Sequence, residues 1–262
     1  MKRIGSALGA LLIAAHAGAA PLDHGDLVTL PTRPGVTQSI FITTPEQATP
    51  KAVLLLYAGG EGVLRLSDHG PTNMRGNFVI RTASYWVDHG YAVVQVDAPS
   101  DHQDDLGMND YVRRSADTLI DQKAVSVEVR KRFPGAKIVL YSTSRGTVTV
   151  GSMLMHASDL ADIYVLTSPK SVANREPGIS DLDVPLAYRD KTMIMSNEHD
   201  GCKVAMYYGA RRLAEANHVA LVTESSDADS GNACGARSPH GYLGIEQKAL
   251  DDSSAWIETR LN

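Results

Sequence analysis

Three stretches of this chain are apolar at almost every position: Ala52-Val53-Leu54-Leu55-Leu56-Tyr57, Tyr91-Ala92-Val93-Val94-Gln95-Val96 and Ile138-Val139-Leu140-Tyr141. A strand with one wet face alternates apolar and polar residues. Runs without that alternation predict strands covered on both faces. Longer segments with helical spacing lie between them. Asn77 to Asp88 places Phe78, Ile80, Tyr85, Trp86 and Val87 and stops at Gly90, and Asp110 to Phe133 reads as one long helix stopped by Pro134-Gly135. Further strands are expected at Ile163–Leu166, Thr192–Met195 and Val219–Val222, and further helices at Thr147–His156, Val204–Ala216 and Gly244–Leu261. Leu27–Leu30 and Ser39–Ile42 read as a peripheral antiparallel pair. Strands alternating with helices imply βαβ units. The expected class is therefore α/β, with a mostly parallel central sheet and helices on both faces.

The N-terminus is read separately. Lys2 and Arg3 precede a short apolar run from Leu8 to Ala15, and Ala17-Gly18-Ala19 fits a small-x-small cleavage site. Residues 1–19 are expected to be a secretory signal peptide, cut before Ala20. The apolar run falls short of the ~20 residues that a membrane span needs. Residues 20–262 contain no linker, repeat or low-complexity block and are expected to form a single domain, periplasmic or secreted, with no stable membrane anchor. A formal charge of −5 argues against nucleic acid as a partner. An even count of two cysteines in an exported chain predicts one disulfide, Cys202 to Cys234.

The third apolar run ends in Ser142-Thr143-Ser144-Arg145-Gly146, followed by a segment that can be helical. Strand, sharp turn and helix, with a serine at the tip, is the geometry of a nucleophile elbow. The turn holds the Ser144 hydroxyl clear of the sheet and aims the Arg145 N–H at the place where an oxyanion would form. The usual spelling is G-x-S-x-G, and Ser142 stands in place of the first glycine.

In parallel sheets, sites form beyond the carboxyl ends of the strands. The loops after Tyr57, Val96, Tyr141, Leu166, Met195 and Val222 are therefore the informative ones. Gly59 and Gly60 follow the first central strand, and the Gly60 N–H is the candidate second oxyanion donor. The loop after Met195 reads Ser196-Asn197-Glu198-His199-Asp200-Gly201-Cys202. Asp200 is the candidate base-orienting carboxylate, and Glu198 competes with it. A metal site on Glu198-His199-Asp200 is disfavoured, because adjacent residues rarely ligate one ion and no H-E-x-x-H motif is present. Only His218 and His240 follow Asp200. His218 precedes its strand, at the wrong end of the sheet, whereas His240 follows it. Asp97 and Asp101 also fall at the site end, as pocket residues or as solvated turn residues.

The order Ser144, Asp200, His240, each after its own strand, together with Gly59-Gly60, resembles the α/β-hydrolase family over nearly the whole mature chain. The resemblance implies the α/β-hydrolase fold and a serine hydrolase acting on small-molecule or polymeric carboxylic esters, with no cofactor. It implies that His240 takes the proton of Ser144, that Asp200 fixes the imidazole, and that the N–H groups of Gly60 and Arg145 bind the oxyanion. Amidase, peptidase or thioesterase activity on the same residues is the alternative, and so is a non-catalytic binding protein that keeps the fold. Pro177-Gly178 and Pro185 lie where many relatives insert a helical cap, so little or no cap is expected.

Overall fold

A computed structural model of the protein describes residues 19–46, 49–228 and 231–261. The signal peptide expected over residues 1–19 lies outside the described residues except for Ala19. Among the described residues no helix is long and apolar enough to cross a membrane.

The strands are β1 (Asp26–Arg33), β2 (Val36–Thr43), β3 (Val53–Tyr57), the two-residue pair β4 (Leu66–Ser67) and β5 (Gly70–Pro71), β6 (Ala92–Pro99), β7 (Ile138–Thr143), β8 (Ile163–Thr167), β9 (Thr192–Asn197) and β10 (Ala220–Glu224). The described residues form an eight-stranded sheet in the order β1-β2-β6-β3-β7-β8-β9-β10. From β6 to β10 every neighbouring pair is parallel, while β1–β2 and β2–β6 are antiparallel. The unbroken apolar runs mark the middle of this sheet. β3 and β7 are buried at every residue.

The pleat divides those runs between two cores. Val53, Leu55 and Tyr57 face Val125 and Val129 of helix α4 (Ala116–Arg132) and Val148 of α5 (Gly146–His156). Leu54 and Leu56 face the opposite layer, with Phe78 of α1 (Phe78–Arg81), Trp86 of α2 (Ala83–Asp88) and Ile257 of α7 (Glu246–Glu258). Each fully buried Leu or Val contributes roughly 1.5–3 kcal/mol of transfer free energy, so the two layers hold the sheet rigid beneath its loops.

Two expected helices are broken. The segment Asn77–Asp88 is interrupted at Thr82, whose hydroxyl donates to Phe78 O. The segment Asp110–Phe133 is divided into α3 (Asp110–Arg113) and α4. Asn109 caps α3 by accepting from the Val112 N–H, and Ser115 caps α4 by accepting from the Thr118 N–H. A serine cap competes with continued helix, and here it turns the chain. The helix expected from Val204 starts later, as α6 (Tyr207–Asn217). The region between β8 and β9 contains turns and a 3₁₀ segment, Leu186–Lys191, and no α-helix, as expected for a fold with little or no cap.

Candidate active site

Ser144 sits on the turn between β7 and α5 with φ +52°. A non-glycine residue in the left-handed region is held there by its surroundings. The surroundings are two close backbone approaches. A Cβ at Gly59 would lie 2.8 Å from Ser144 Cβ, and a Cβ at Gly146 would collide with Tyr57 O. Ser142, the departure from the usual elbow spelling, is fully buried, and its hydroxyl donates to Val165 O at 3.0 Å. The serine therefore finds a partner on the neighbouring strand where glycine would have none.

His240 lies in a short 3₁₀ turn, Pro239–Gly241, beyond β10. Its Nε2 is 2.9 Å from Ser144 Oγ, and its Nδ1 is 2.7 Å from Asp200 Oδ2. The side chains of His240 and Asp200 are 4% and 0% exposed, so this chain of hydrogen bonds is screened from water except at the serine. The turn is fastened from several sides. Ser168 Oγ donates to His240 O at 2.7 Å, Arg81 donates to Gly241 O at 2.6 Å, and Tyr242 Oη donates to Met195 O at 3.0 Å. Burial pushes the Tyr242 phenol well above its ordinary value, which keeps it a donor.

Asp200 Oδ1 accepts from the Cys202 N–H at 2.9 Å. Cys202 is bonded to Cys234, with Cα atoms 4.6 Å apart, so the predicted disulfide is present and joins the Asp200 loop to the His240 loop. Glu198 is half exposed and points elsewhere. It lies 4.0 Å from His199, whose Nδ1 meets Asp227 at 2.7 Å. His218 ends α6 in a left-handed cap at the far end of the sheet.

Asp97 and Asp101 do not line the pocket. Asp97 is 6% exposed, and its carboxylate accepts from the N–H groups of Leu64 and Leu66 at 2.6 and 3.0 Å. Asp101 pairs with Arg33. The reading of Asp97 as a solvated turn residue is likewise corrected, because it is a buried organiser of the loop after β3.

A pocket of about 270 Å³ opens beside Ser144, lined by Met74, Asn77, Phe78, Cys234 and Ala236 together with Gly60 and His240. Among the described residues, neither the Gly60 N–H nor the Arg145 N–H donates to a protein acceptor. The Arg145 side chain, left unassigned by sequence, pairs with Glu176 at 2.9 Å and lies 3.3 Å from Asp110. Lys170, 4% exposed, bridges Asp110 and Glu176 at 2.6 and 2.9 Å. Burial works to raise the Glu176 carboxyl, but the bond from Lys170 and the charge of Arg145 outweigh it and hold it below the ordinary range. This network and the buried Arg113 behind the glycine loop escaped sequence reading. Their partners lie up to 68 residues apart, as in the bond from the Gly178 N–H to Asp110, and no local spacing encodes that.

No family model matches the chain, and no curated protein matches its sequence. Among solved structures it is similar to XC6422 from Xanthomonas campestris, described as an α/β serine hydrolase without lid, at 15% identity and TM-score 0.56, covering 88% of this chain and 97% of that one. A cold-adapted esterase from an Arctic intertidal metagenomic library gives 11% identity and TM-score 0.58, with 91% and 93% covered. The acylaminoacyl peptidase of Pyrococcus horikoshii gives 12% identity and TM-score 0.58 over 92% of this chain, which spans 42% of the peptidase. The sheet order, the two helical layers and these likenesses together show that the chain has the α/β-hydrolase fold.

Proposed function

We propose that the protein is a serine hydrolase that cleaves carboxylic esters through an acyl-enzyme on Ser144. The observation that carries this reading is the buried chain Ser144–His240–Asp200, bonded at 2.9 and 2.7 Å beside an open pocket. Ser144 Oγ attacks the acyl carbon as its proton passes to His240 Nε2. Asp200 holds the imidazole in the required tautomer and stabilises the cation that forms. The N–H groups of Gly60 and Arg145 receive the oxyanion. Collapse of the tetrahedral adduct expels the alcohol with the proton from Nε2, and a water activated in the same way releases the acid.

The walls made by Met74, Phe78, Ala236 and the Cys234 bridge suit the acyl group of a small-molecule or polymeric ester. The disulfide and the sequence of residues 1–19 support work outside the cytoplasm, and the excess of 30 acidic over 25 basic residues supports a partner other than nucleic acid. Amide cleavage by the same residues would show as kcat/KM on an anilide equal to or above that on the matching ester.

Labelling by a fluorophosphonate and hydrolysis of p-nitrophenyl esters of graded length test the reading. Ser144→Ala should abolish labelling and lower kcat by roughly 10⁵–10⁶ with the fold intact. Retention of most activity would remove Ser144 from its role.

A further inference from the structure

Arg113 is the last residue of α3 and is 3% exposed. Buried charges are normally paired. The hydrogen-bond partners of Arg113 are all uncharged. Nε donates to Met108 O at 2.7 Å, Nη1 to Thr149 Oγ1 at 3.0 Å, and Nη2 to both Ala58 O and Gly60 O at 3.3 Å. Asp110, one turn earlier, is taken by Lys170 and Arg145. Burial, with a smaller contribution from the Arg145 charge, pushes Arg113 down to about 9, so it remains a cation at neutral pH.

The two bonds from Nη2 complete a pattern. Gly59 O accepts from the Gly62 N–H at 3.1 Å, and Glu61 O accepts from the Met108 N–H at 2.8 Å. All four consecutive carbonyls from Ala58 to Glu61 are therefore held, two of them by Arg113. The uncommitted Gly60 N–H shares its peptide plane with Gly59 O, which the Gly62 N–H holds, and Arg113 holds the planes on either side through Ala58 O and Gly60 O, so that the middle plane cannot turn without breaking its bonds to both neighbours. The sequence makes room for the guanidinium. A Cβ at Gly62, where φ is +71°, would lie 2.5 Å from Arg113 Nη2.

We propose that Arg113 is a positioning residue: its guanidinium locks the Ala58–Gly62 loop so that the Gly60 N–H meets the oxyanion, and its unpaired charge stabilises the negative charge that develops there. This rests on acyl transfer at Ser144. A cation behind the loop favours the anionic tetrahedral state over the neutral ester, because its field acts through low-dielectric protein. It should therefore act on kcat more than on KM.

The test compares wild type with Arg113→Gln and Arg113→Lys, normalised to the Ser144 that a fluorophosphonate labels at end point. Phenylboronic acid serves as a probe because its serine adduct is tetrahedral and anionic. Arg113→Gln should lower kcat by about 10²-fold and weaken the boronate by a similar factor, with KM changed by less than about threefold. Arg113→Lys should recover part of both, since lysine keeps the charge but not the fork that reaches two carbonyls. If Arg113→Gln does not fold, Thr149→Val carries the test. It removes the acceptor of Nη1 and should lower kcat and boronate affinity together by roughly three- to tenfold. A folded variant of either kind with unchanged kcat per labelled serine and unchanged boronate affinity overturns the role of Arg113 and leaves Ser144 in place. A wild-type protein that neither labels nor hydrolyses esters overturns both.

Discussion

Two loops flank Ser144, and they are held by different physics. The loop Ala58–Gly62 is short, lies against the core, and has every carbonyl from 58 to 61 bonded. The loop from Ser225 to Pro239 is three times as long, and most of its described residues are exposed. It has little apolar surface with which to offset the ordering of its backbone, a cost of about 1–2 kcal/mol per residue. It is tied at its start by Ser226, which bonds Asn197 and Leu243, and by Asp227, which meets His199, and further along by the covalent bond from Cys234 to Cys202, reinforced at the His240 end by Ser168, Arg81 and Tyr242. A loop that touches the core can be organised by its own peptide groups. A loop that leaves the core needs a tie.

The comparison can be broken most forcefully on the histidine side. Asp200→Asn should lower kcat by about 10⁴, because the amide would hold the wrong imidazole tautomer. Glu198→Gln should change it by less than about threefold. The reverse ranking in steady-state kinetics would reassign the acid to Glu198, two residues away in the same loop. On the other side, Gly59→Ala should lower kcat by about 10²–10³, since the new methyl meets Ser144 Cβ and shifts the neighbouring N–H. If Gly59→Ala kept wild-type kcat, the short loop would be less constrained than its hydrogen bonds imply.

Replacing Cys202 and Cys234 with alanine should lower stability by about 3–4 kcal/mol, on the entropy of a loop closed over 32 residues. The same change should lower kcat by roughly tenfold while end-point labelling of Ser144 persists. Melting temperature and labelling stoichiometry check both parts. The smallest effect is with acid. The Glu176 carboxyl is held below its ordinary 4.5 in the folded state, so the unfolded chain binds protons more readily. Its contribution to stability is complete above about pH 4.5 and is lost as pH falls through the lower folded value. Glu176→Gln should flatten the decline of melting temperature between pH 5 and 3 by a few degrees. Acid thus loosens the network around Arg145, whereas reductant loosens the histidine loop, and each treatment should spare the other side.

Much of this was legible in the chain. Unbroken apolar runs located β3, β6 and β7, and the position of each loop relative to its strand brought Ser144, Asp200 and His240 to one end of the sheet. Loop order alone separated His240 from His218. It left Asp200 and Glu198 unresolved, because two residues in one turn share an address and differ only in direction. Helical spacing could not reveal the break at Ser115, since α3 and α4 are both helical and the turn depends on a capping bond. It could not reveal Asp97 either, whose carboxylate serves N–H groups more than thirty residues away. Arg113 was the least visible. An arginine in a charged helical segment reads as solvated face until the fold lays a glycine loop over it.

The dihedral of Ser144 has a consequence for how this chain can change over time. A side chain at φ +52° costs about 1–2 kcal/mol relative to a glycine in the same place. On the proposed role, Ser144→Gly would inactivate the site while relieving this backbone strain, against the larger entropy of a glycine in the unfolded chain. In a lineage released from selection for hydrolysis, the balance of those two terms would decide whether glycine is favoured at this position.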